Sequence, residues 1–216
     1  MRGTRAPVKG SIFLSGSIPD AARWQGDFEP LEITDAVVAF ARACLTREFR
    51  IVTAAHPTLA PLLMYVAAEF PSTDEARIVI YQSQLFETVL PTATRRFEAD
   101  GVGELIWTEA VAGDEPTPGH WEASLREMRS RMLTETNPLA AVFIGGMEGV
   151  REEFSRFSDL FPGRPKYAVR RPGGEAAQLS LEAQRASSSV SDAENDISYP
   201  TLWNGFLREL DPDQRQ

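Results

Sequence analysis

The chain has 216 residues, a formal net charge of −9 and one cysteine, Cys44. This length is typical of a single α/β domain whose core is large enough to fold alone. The acidic balance and the lack of a basic run argue against a nucleic acid polymer as partner, because such a partner needs cations that displace its counterions. One cysteine excludes an internal disulfide and a cysteine-based zinc site, and we expect no metal and no cofactor.

Cys44 lies in an apolar helical pattern, which favours a buried, inert thiol. No apolar run approaches membrane-spanning length, and the first residues lack the apolar core of a signal peptide. We therefore expect a cytoplasmic protein with no membrane partner.

Short apolar runs alternate with segments of helical periodicity along the chain. The predicted strands are Ser11–Ser15, Arg50–Ala54, Ala76–Tyr81, Gly103–Trp107, Ala140–Ile144 and Lys166–Val169. The predicted helices are about Pro30–Glu48, Leu59–Phe70, Phe86–Asp100, His120–Glu135, a helix after Gly149 that ends near Leu160, and Gly174–Leu181. This alternation predicts a doubly wound, mostly parallel α/β sheet with helices on both faces.

Candidate ligand contacts follow the first two predicted strands. Ser15, Gly16 and Ser17 end the first strand, where small residues leave space for a ligand and hydroxyls can bond it. A tight turn with a serine cap is the alternative for these three residues. His56 follows the second strand and precedes a helix, so it either contacts the ligand or is a hydrogen-bonded structural residue.

A glycine-rich corner follows the most apolar strand. Its residues are Gly145, Gly146, Met147, Glu148 and Gly149. Glycine lets the backbone turn sharply, and the first turn of the next helix offers free N–H groups and a positive dipole end that suit a phosphate. We expect a ligand cradle here, with a plain strand–turn–helix corner as the alternative. A second glycine pair, Gly173 and Gly174, follows the last strand and is a further candidate for ligand contact.

The tail of the chain has a different composition. Residues 184–196 are rich in Ser, Asp and Glu and are interpreted as a linker. Residues 197–207 are apolar again and must be buried, either by folding back on their own domain or by docking on another chain.

Four segments together resemble the SLOG (SMF/DprA–LOG) superfamily, and in particular its small families found beside prokaryotic defence genes. The segments are Ile12–Ser17, Ile51–Pro57, Arg129–Glu153 and the Gly173-Gly174 corner. The resemblance defines a domain over residues 10–182, with 183–216 as linker and C-terminal apolar segment. It implies a Rossmann-like sheet that holds a nucleotide or nucleotide derivative at the carboxyl ends of the strands. In some of these families the ligand is a cyclic ADP-ribose type of signal.

The LOG phosphoribohydrolases of the superfamily carry a catalytic Arg and, after a Pro-Gly-Gly-x-Gly-Thr turn, a catalytic Glu. By resemblance, Arg129 takes the first position and Glu152 or Glu153 the second. In this chain Ile144 replaces the proline, Val150 replaces the threonine, and one extra residue separates the glycines. Which glutamate faces inward therefore stays open, and a salt-bridged helix face is the alternative interpretation of these charges.

Two functions follow from the resemblance. The first is a sensor that binds a nucleotide-derived small molecule in a defence or stress system and signals through its own homo-oligomer or a partner protein. The second is an N-glycosidase that cleaves a nucleoside 5′-monophosphate. The altered turn favours the sensor, because catalysis tolerates less displacement than phosphate binding through backbone groups.

Overall fold

Six strands form one all-parallel sheet in the computed structural model, which describes residues 8–70, 76–186 and 197–211. The strands are β1 (Ser11–Ser17), β2 (Arg50–Ala54), β3 (Ile78–Ser83), β4 (Glu104–Thr108), β5 (Ala140–Gly145) and β6 (Lys166–Ala168). Their order is β4-β3-β2-β1-β5-β6, and each neighbouring pair is parallel. The chain builds outward from β1 to β4 and then crosses to β5 on the other side, so the topological switch point lies between β1 and β5.

Helices cover both faces of this sheet. They are α1 (Pro30–Thr46), α2 (Ala60–Ala67), a 3₁₀-helix (Gln84–Val89), α3 (Thr92–Ala99), α4 (Glu122–Thr136), α5 (Glu148–Leu160), α6 (Gly174–Ala186) and α7 (Tyr199–Leu210). Residues of α1, α2 and α7 share one core with the sheet, and residues of α4, α5 and α6 share the other. The predicted doubly wound, Rossmann-like α/β fold is therefore confirmed.

The central strand β1 is buried on both of its faces. Ile12 and Leu14 pack toward α1, whereas Phe13 points to the opposite core. This two-sided burial explains why the strands are continuous apolar runs rather than alternating ones. In α1, the predicted apolar stripe is buried, and burial raises the pKa of the Cys44 thiol. No helix of the described residues is long and apolar enough to cross a membrane.

The prediction of one helix from Phe86 to Asp100 is wrong. Pro91 separates the 3₁₀-helix from α3, and Leu90 before it has an extended backbone with φ −62° and ψ 128°. A proline has no N–H to donate and pushes the preceding residue out of the helical region, so one helix cannot run through it. The 3₁₀-helix is therefore a separate element that directly follows β3.

Other predicted boundaries also move by a few residues, and two of these shifts bear on the cavity edge and on the tail. The third strand continues to Ser83 rather than ending at Tyr81, because Gln82 and Ser83 pair with Trp107 and Thr108 of β4. The last predicted helix continues past Leu181 as α6, so the first residues of the predicted linker are helical. Linker residues 187–196 lie outside the described residues.

The C-terminal apolar segment folds back onto its own domain as α7. Trp203 is fully buried against α1, where its ring centroid lies 5.2 Å from that of Phe40. Its indole Nε1 donates a hydrogen bond of 2.9 Å to the Ala36 carbonyl oxygen. The ring thus fills a gap in the core and satisfies its only polar atom at the same time.

We expect Trp203→Ala to lower the free energy of unfolding by about 3–5 kcal/mol, because it opens a cavity between α7 and α1. Urea denaturation followed by circular dichroism measures the loss. Leu31→Ala on α1 is the control, since Leu31 is 79% exposed, and its effect is expected to stay within about 0.5 kcal/mol. An equal, small effect of both variants would contradict the packing of α7 described above.

Candidate functional site

A cavity of about 450 Å³ opens at the carboxyl ends of β1, β2 and β3. The 3₁₀-helix, the first half of α4 and the first turns of α5 also contribute to its wall. The cavity borders the switch point between β1 and β5, which is where open α/β sheets bind ligands. The topology of the sheet thus gives this cavity a position suited to a small molecule.

The structure brings most of the predicted site residues to this cavity. Its wall includes the predicted Gly16, Ser17, His56, Arg129, Met147, Glu148, Gly149 and Glu153. Other predicted residues lie outside its wall, namely Ser15, Gly145, Gly146, Glu152, Gly173 and Gly174. Contact of either group with a ligand stays a prediction.

The pairing of β1 with β5 fixes the floor of the cavity. Gly16 lies opposite Ile144 and Ser17 opposite Gly145. A Cβ at position 16 would lie 2.4 Å from the Ile144 carbonyl oxygen, so only glycine fits between these strands. The Gly146 N–H then donates to the Ser17 carbonyl oxygen at 2.7 Å and continues the contact past the end of β5.

The two glycine pairs pack against each other behind the cavity. Gly174 has φ +72°, and a Cβ there would lie 2.6 Å from the carbonyl carbon of Gly145. The Glu175 N–H donates to the Gly146 carbonyl oxygen at 2.9 Å. These contacts hold the start of α6 against the turn that leads into α5, so the glycines here serve close backbone packing.

Glu153 is the glutamate that faces inward. It is 7% exposed, and its Oε2 accepts a hydrogen bond of 2.5 Å from the Ser15 hydroxyl. Its Oε1 accepts from Arg129 Nε at 3.0 Å. Glu152, one position earlier, is much more exposed and meets Arg129 from the solvent side. α5 begins at Glu148, and its N-cap Met147 has an extended backbone.

Arg129 reaches this site from α4 and is itself 8% exposed. Its guanidinium group pairs with both Glu152 and Glu153. A Cβ at position 149 would lie 3.0 Å from Arg129 Nη2, so Gly149 leaves room for the guanidinium group under the first turn of α5. The charges form a salt-bridged cluster as the simpler interpretation held, but the cluster is buried and lies in the cavity wall rather than on a solvated face.

His56 lies half-buried at the end of β2, where burial lowers its pKa to about 4. Its Nδ1 accepts from the Thr58 backbone N–H at 3.3 Å and lies 2.9 Å from the Thr58 hydroxyl. These contacts favour the neutral tautomer that carries its proton on Nε2. His56 therefore offers the cavity a neutral hydrogen-bonding group at pH 7 rather than a positive charge.

Sequence reasoning missed part of the cavity wall. Phe86 and Trp121 line it with ring centroids 5.4 Å apart, and Arg23 reaches it from the loop between β1 and α1. The one available signal was that Phe86 follows β3 closely, as His56 follows β2. Trp121 and Arg23 are distant in sequence from each strand end, so a local pattern does not assign them to the site.

Arg129→Met should strongly destabilise the fold, because it leaves the buried carboxylate of Glu153 without its cationic partner. Breaking a buried pair in this way costs on the order of 3 kcal/mol. Arg131→Met on the same helix is the matched control, since it breaks a more exposed pair with Glu135 that contributes at most about 0.5 kcal/mol. Denaturant titration of both variants tests this, and equal losses would mean that Glu153 does not depend on Arg129.

His56 makes stability depend on pH. Its pKa in the folded state is about 4 and in the unfolded chain about 6.5, so the unfolded chain binds more protons between these values. Its contribution to stability is therefore complete above pH 6.5 and is lost as the pH falls toward 4. We expect His56→Gln to reduce the stability difference measured by urea titration between pH 7 and pH 5. His120→Gln, at an exposed histidine, controls for loss of an imidazole, and an unchanged pH dependence in His56→Gln would contradict the prediction.

Comparison with known proteins places the chain in a family. The curated proteins give no match. Among solved structures, the X-ray structure of TM1055, a structural-genomics target, is similar, with 15% sequence identity and a TM-score of 0.48 over 80% of this chain and 81% of that chain. The model of the SLOG cluster3 family matches residues 23–207, which span most of the sequence. The chain therefore belongs to the SLOG cluster3 family.

Proposed function

We propose that the chain binds a nucleotide or nucleotide-derived signal in the cavity at the ends of β1, β2 and β3. Membership of the SLOG family suggests nucleotide-related binding or a LOG-like function. The observation that carries the proposal is that the rings of Phe86 and Trp121 and the first turn of α5 line the same cavity. Aromatic rings stack on bases, and helix N-termini bind phosphate.

The residues of the cavity wall favour a sensor over an enzyme. Both carboxylate oxygens of Glu153 already accept a hydrogen bond, one from Arg129 and one from Ser15. The position of the LOG threonine is held by Val150, which is buried and offers no hydroxyl to a phosphate. Binding through backbone N–H groups survives both features, whereas acid–base chemistry depends on one well-placed side chain.

The biological part of the proposal is a role in a prokaryotic defence or stress system. Ligand binding would bias a contact with a second copy of the chain or with a partner protein, and a cyclic ADP-ribose type of molecule is a suitable signal. Its support is the family and the cavity wall, to which the two helices α4 and α5 both contribute, so that one ligand can contact both. A ligand shifts an equilibrium between two conformations only if it binds one of them more tightly than the other. A ligand that contacts both helices can do so when the two conformations place the helices differently.

An N-glycosidase is the second candidate, and one observation favours it. Glu153 points into the cavity wall beside Arg129, in the relative placement that the LOG resemblance implies for the catalytic pair. A carboxylate in the wall of a cavity can act as the acid–base group that transfers a proton when a base leaves the ribose. The two candidates therefore differ in turnover rather than in the site they use.

We expect binding without turnover. A panel of nucleoside monophosphates, nucleoside triphosphates and cyclic ADP-ribose is tested by thermal shift and, in the same samples, for release of free base. A ligand at about a hundred times its Kd adds about 2.7 kcal/mol of stability, which is readily seen as a rise in Tm.

The enzyme control is Glu153→Gln, which keeps the shape of the side chain, with Glu127→Gln on the exposed face of α4 as its match. Base release by the wild type that Glu153→Gln abolishes and Glu127→Gln leaves intact would replace the sensor by the glycosidase. Absence of both a thermal shift and base release across the panel would contradict the proposal that the chain binds a nucleotide.

A further inference from the structure

The cavity wall combines apolar and charged side chains. Its apolar side chains come largely from the 3₁₀-helix and α4 and include Phe86, Val89, Trp121, Leu125 and Met128. The charged side chains Arg23, Glu148 and Glu153 come from the loop after β1 and from α5, and Arg129 lies next to Glu153. A ligand with a planar apolar part and a charged part therefore finds matching groups in this wall.

The two arginines of the wall differ in what they already bind. Arg129 is neutralised by Glu152 and Glu153. Arg23 is exposed at the rim and pairs with no carboxylate of the described residues. The nearby carboxylate of Asp20 instead accepts a hydrogen bond of 2.9 Å from the Ala22 backbone N–H.

The backbone holds Arg23 at the rim. The N–H groups of Arg23 and Trp24 both donate to the Asp20 carbonyl oxygen at 2.9 Å and form a turn. Further along the loop, the Glu29 N–H donates to the Pro172 carbonyl oxygen at 3.0 Å, which ties the loop to the turn between β6 and α6. Arg23 is thus a positioned cation with an unused guanidinium group, which is the group that binds phosphate oxygens well.

We propose that Arg23 binds the phosphate of the ligand and that Phe86 and Trp121 bind its base, so that Arg23 determines both the orientation and the preference for a phosphorylated ligand. This inference rests on the proposed function and assigns the contacts within the same cavity. It makes Arg23, rather than Arg129, the source of charge recognition.

The charge of the wall also limits the ligand. Two arginines and two glutamates line the cavity, with Glu152 directly behind Arg129, and burial lowers the pKa of His56 so that it adds no charge at pH 7. Arg23 can balance one phosphate, but a triphosphate would place further negative charge beside Glu148 and Glu153. The ligand class is therefore a nucleoside monophosphate or an ester of similar charge.

The experiment compares AMP, adenosine and ATP by isothermal titration calorimetry at one fixed ionic strength, with wild type, Arg23→Gln, Trp121→Ala and Arg126→Gln. Arg126 is an exposed arginine of α4 outside the cavity wall, so Arg126→Gln removes the same charge without touching the site. If another nucleotide of the panel binds more tightly than AMP, that nucleotide and its nucleoside take the place of AMP and adenosine.

The expected result is a loss of about tenfold to a hundredfold in AMP affinity for Arg23→Gln, with adenosine affinity unchanged. Trp121→Ala should weaken AMP and adenosine by the same factor, Arg126→Gln should change neither, and wild type should bind ATP more weakly than AMP. Equal losses of AMP and adenosine in Arg23→Gln, no loss of either, or tighter binding of ATP would overturn the inference while leaving nucleotide binding in place. Absence of binding by the wild type would instead overturn the proposed function, and this inference with it.

Discussion

The parallel pairing of β1 with β5 is the contact on which the candidate site depends. Six residue pairs, from Ile12 with Ala140 to Ser17 with Gly145, bring the ends of two strands from distant parts of the chain to the same level. The close approach at Gly16 leaves no freedom in this register, because any side chain there would meet the carbonyl oxygen of Ile144. Since α5 begins immediately after β5, this register also sets which face of α5 meets Ser15.

The buried cluster of Ser15, Arg129 and Glu153 has a structural and a chemical consequence. It joins β1, α4 and α5, so that three elements of the cavity wall are linked by buried side-chain hydrogen bonds. The charged groups of the cluster are also paired with each other rather than available to a ligand, because each carboxylate oxygen of Glu153 and the guanidinium group of Arg129 already have partners. A buried ion pair contributes little net stability compared with apolar packing, but losing one of its partners is costly. The three side chains therefore have to stay together, and this fixes the shape of the site around them.

The glycine corners show how one sequence signal serves two physical purposes. Gly145, Gly146, Gly173 and Gly174 all have positive φ angles, and protein atoms come close to each of them, backbone at Gly173 and Gly174 and side chains as well at Gly145 and Gly146. Gly149 differs, because it borders the cavity and leaves space for the guanidinium group of Arg129. A glycine-rich turn after a buried strand therefore indicates that another group must come close, and at Gly145, Gly146, Gly173 and Gly174 that group belongs to the protein itself.

The sequence by itself determined the layered α/β fold, the strand ends that border the cavity and the presence of an Arg and a Glu near the glycine corner. The fold and the strand ends follow from local periodicity, which reports burial along one element at a time, whereas the Arg and the Glu follow from the resemblance to the LOG enzymes. Only the tertiary structure decided that Glu153 rather than Glu152 faces inward and that Arg23, Phe86 and Trp121 share one cavity. The physical reason is that these arrangements depend on strand order and register, which join loops far apart in the chain and leave no periodic trace in any one of them.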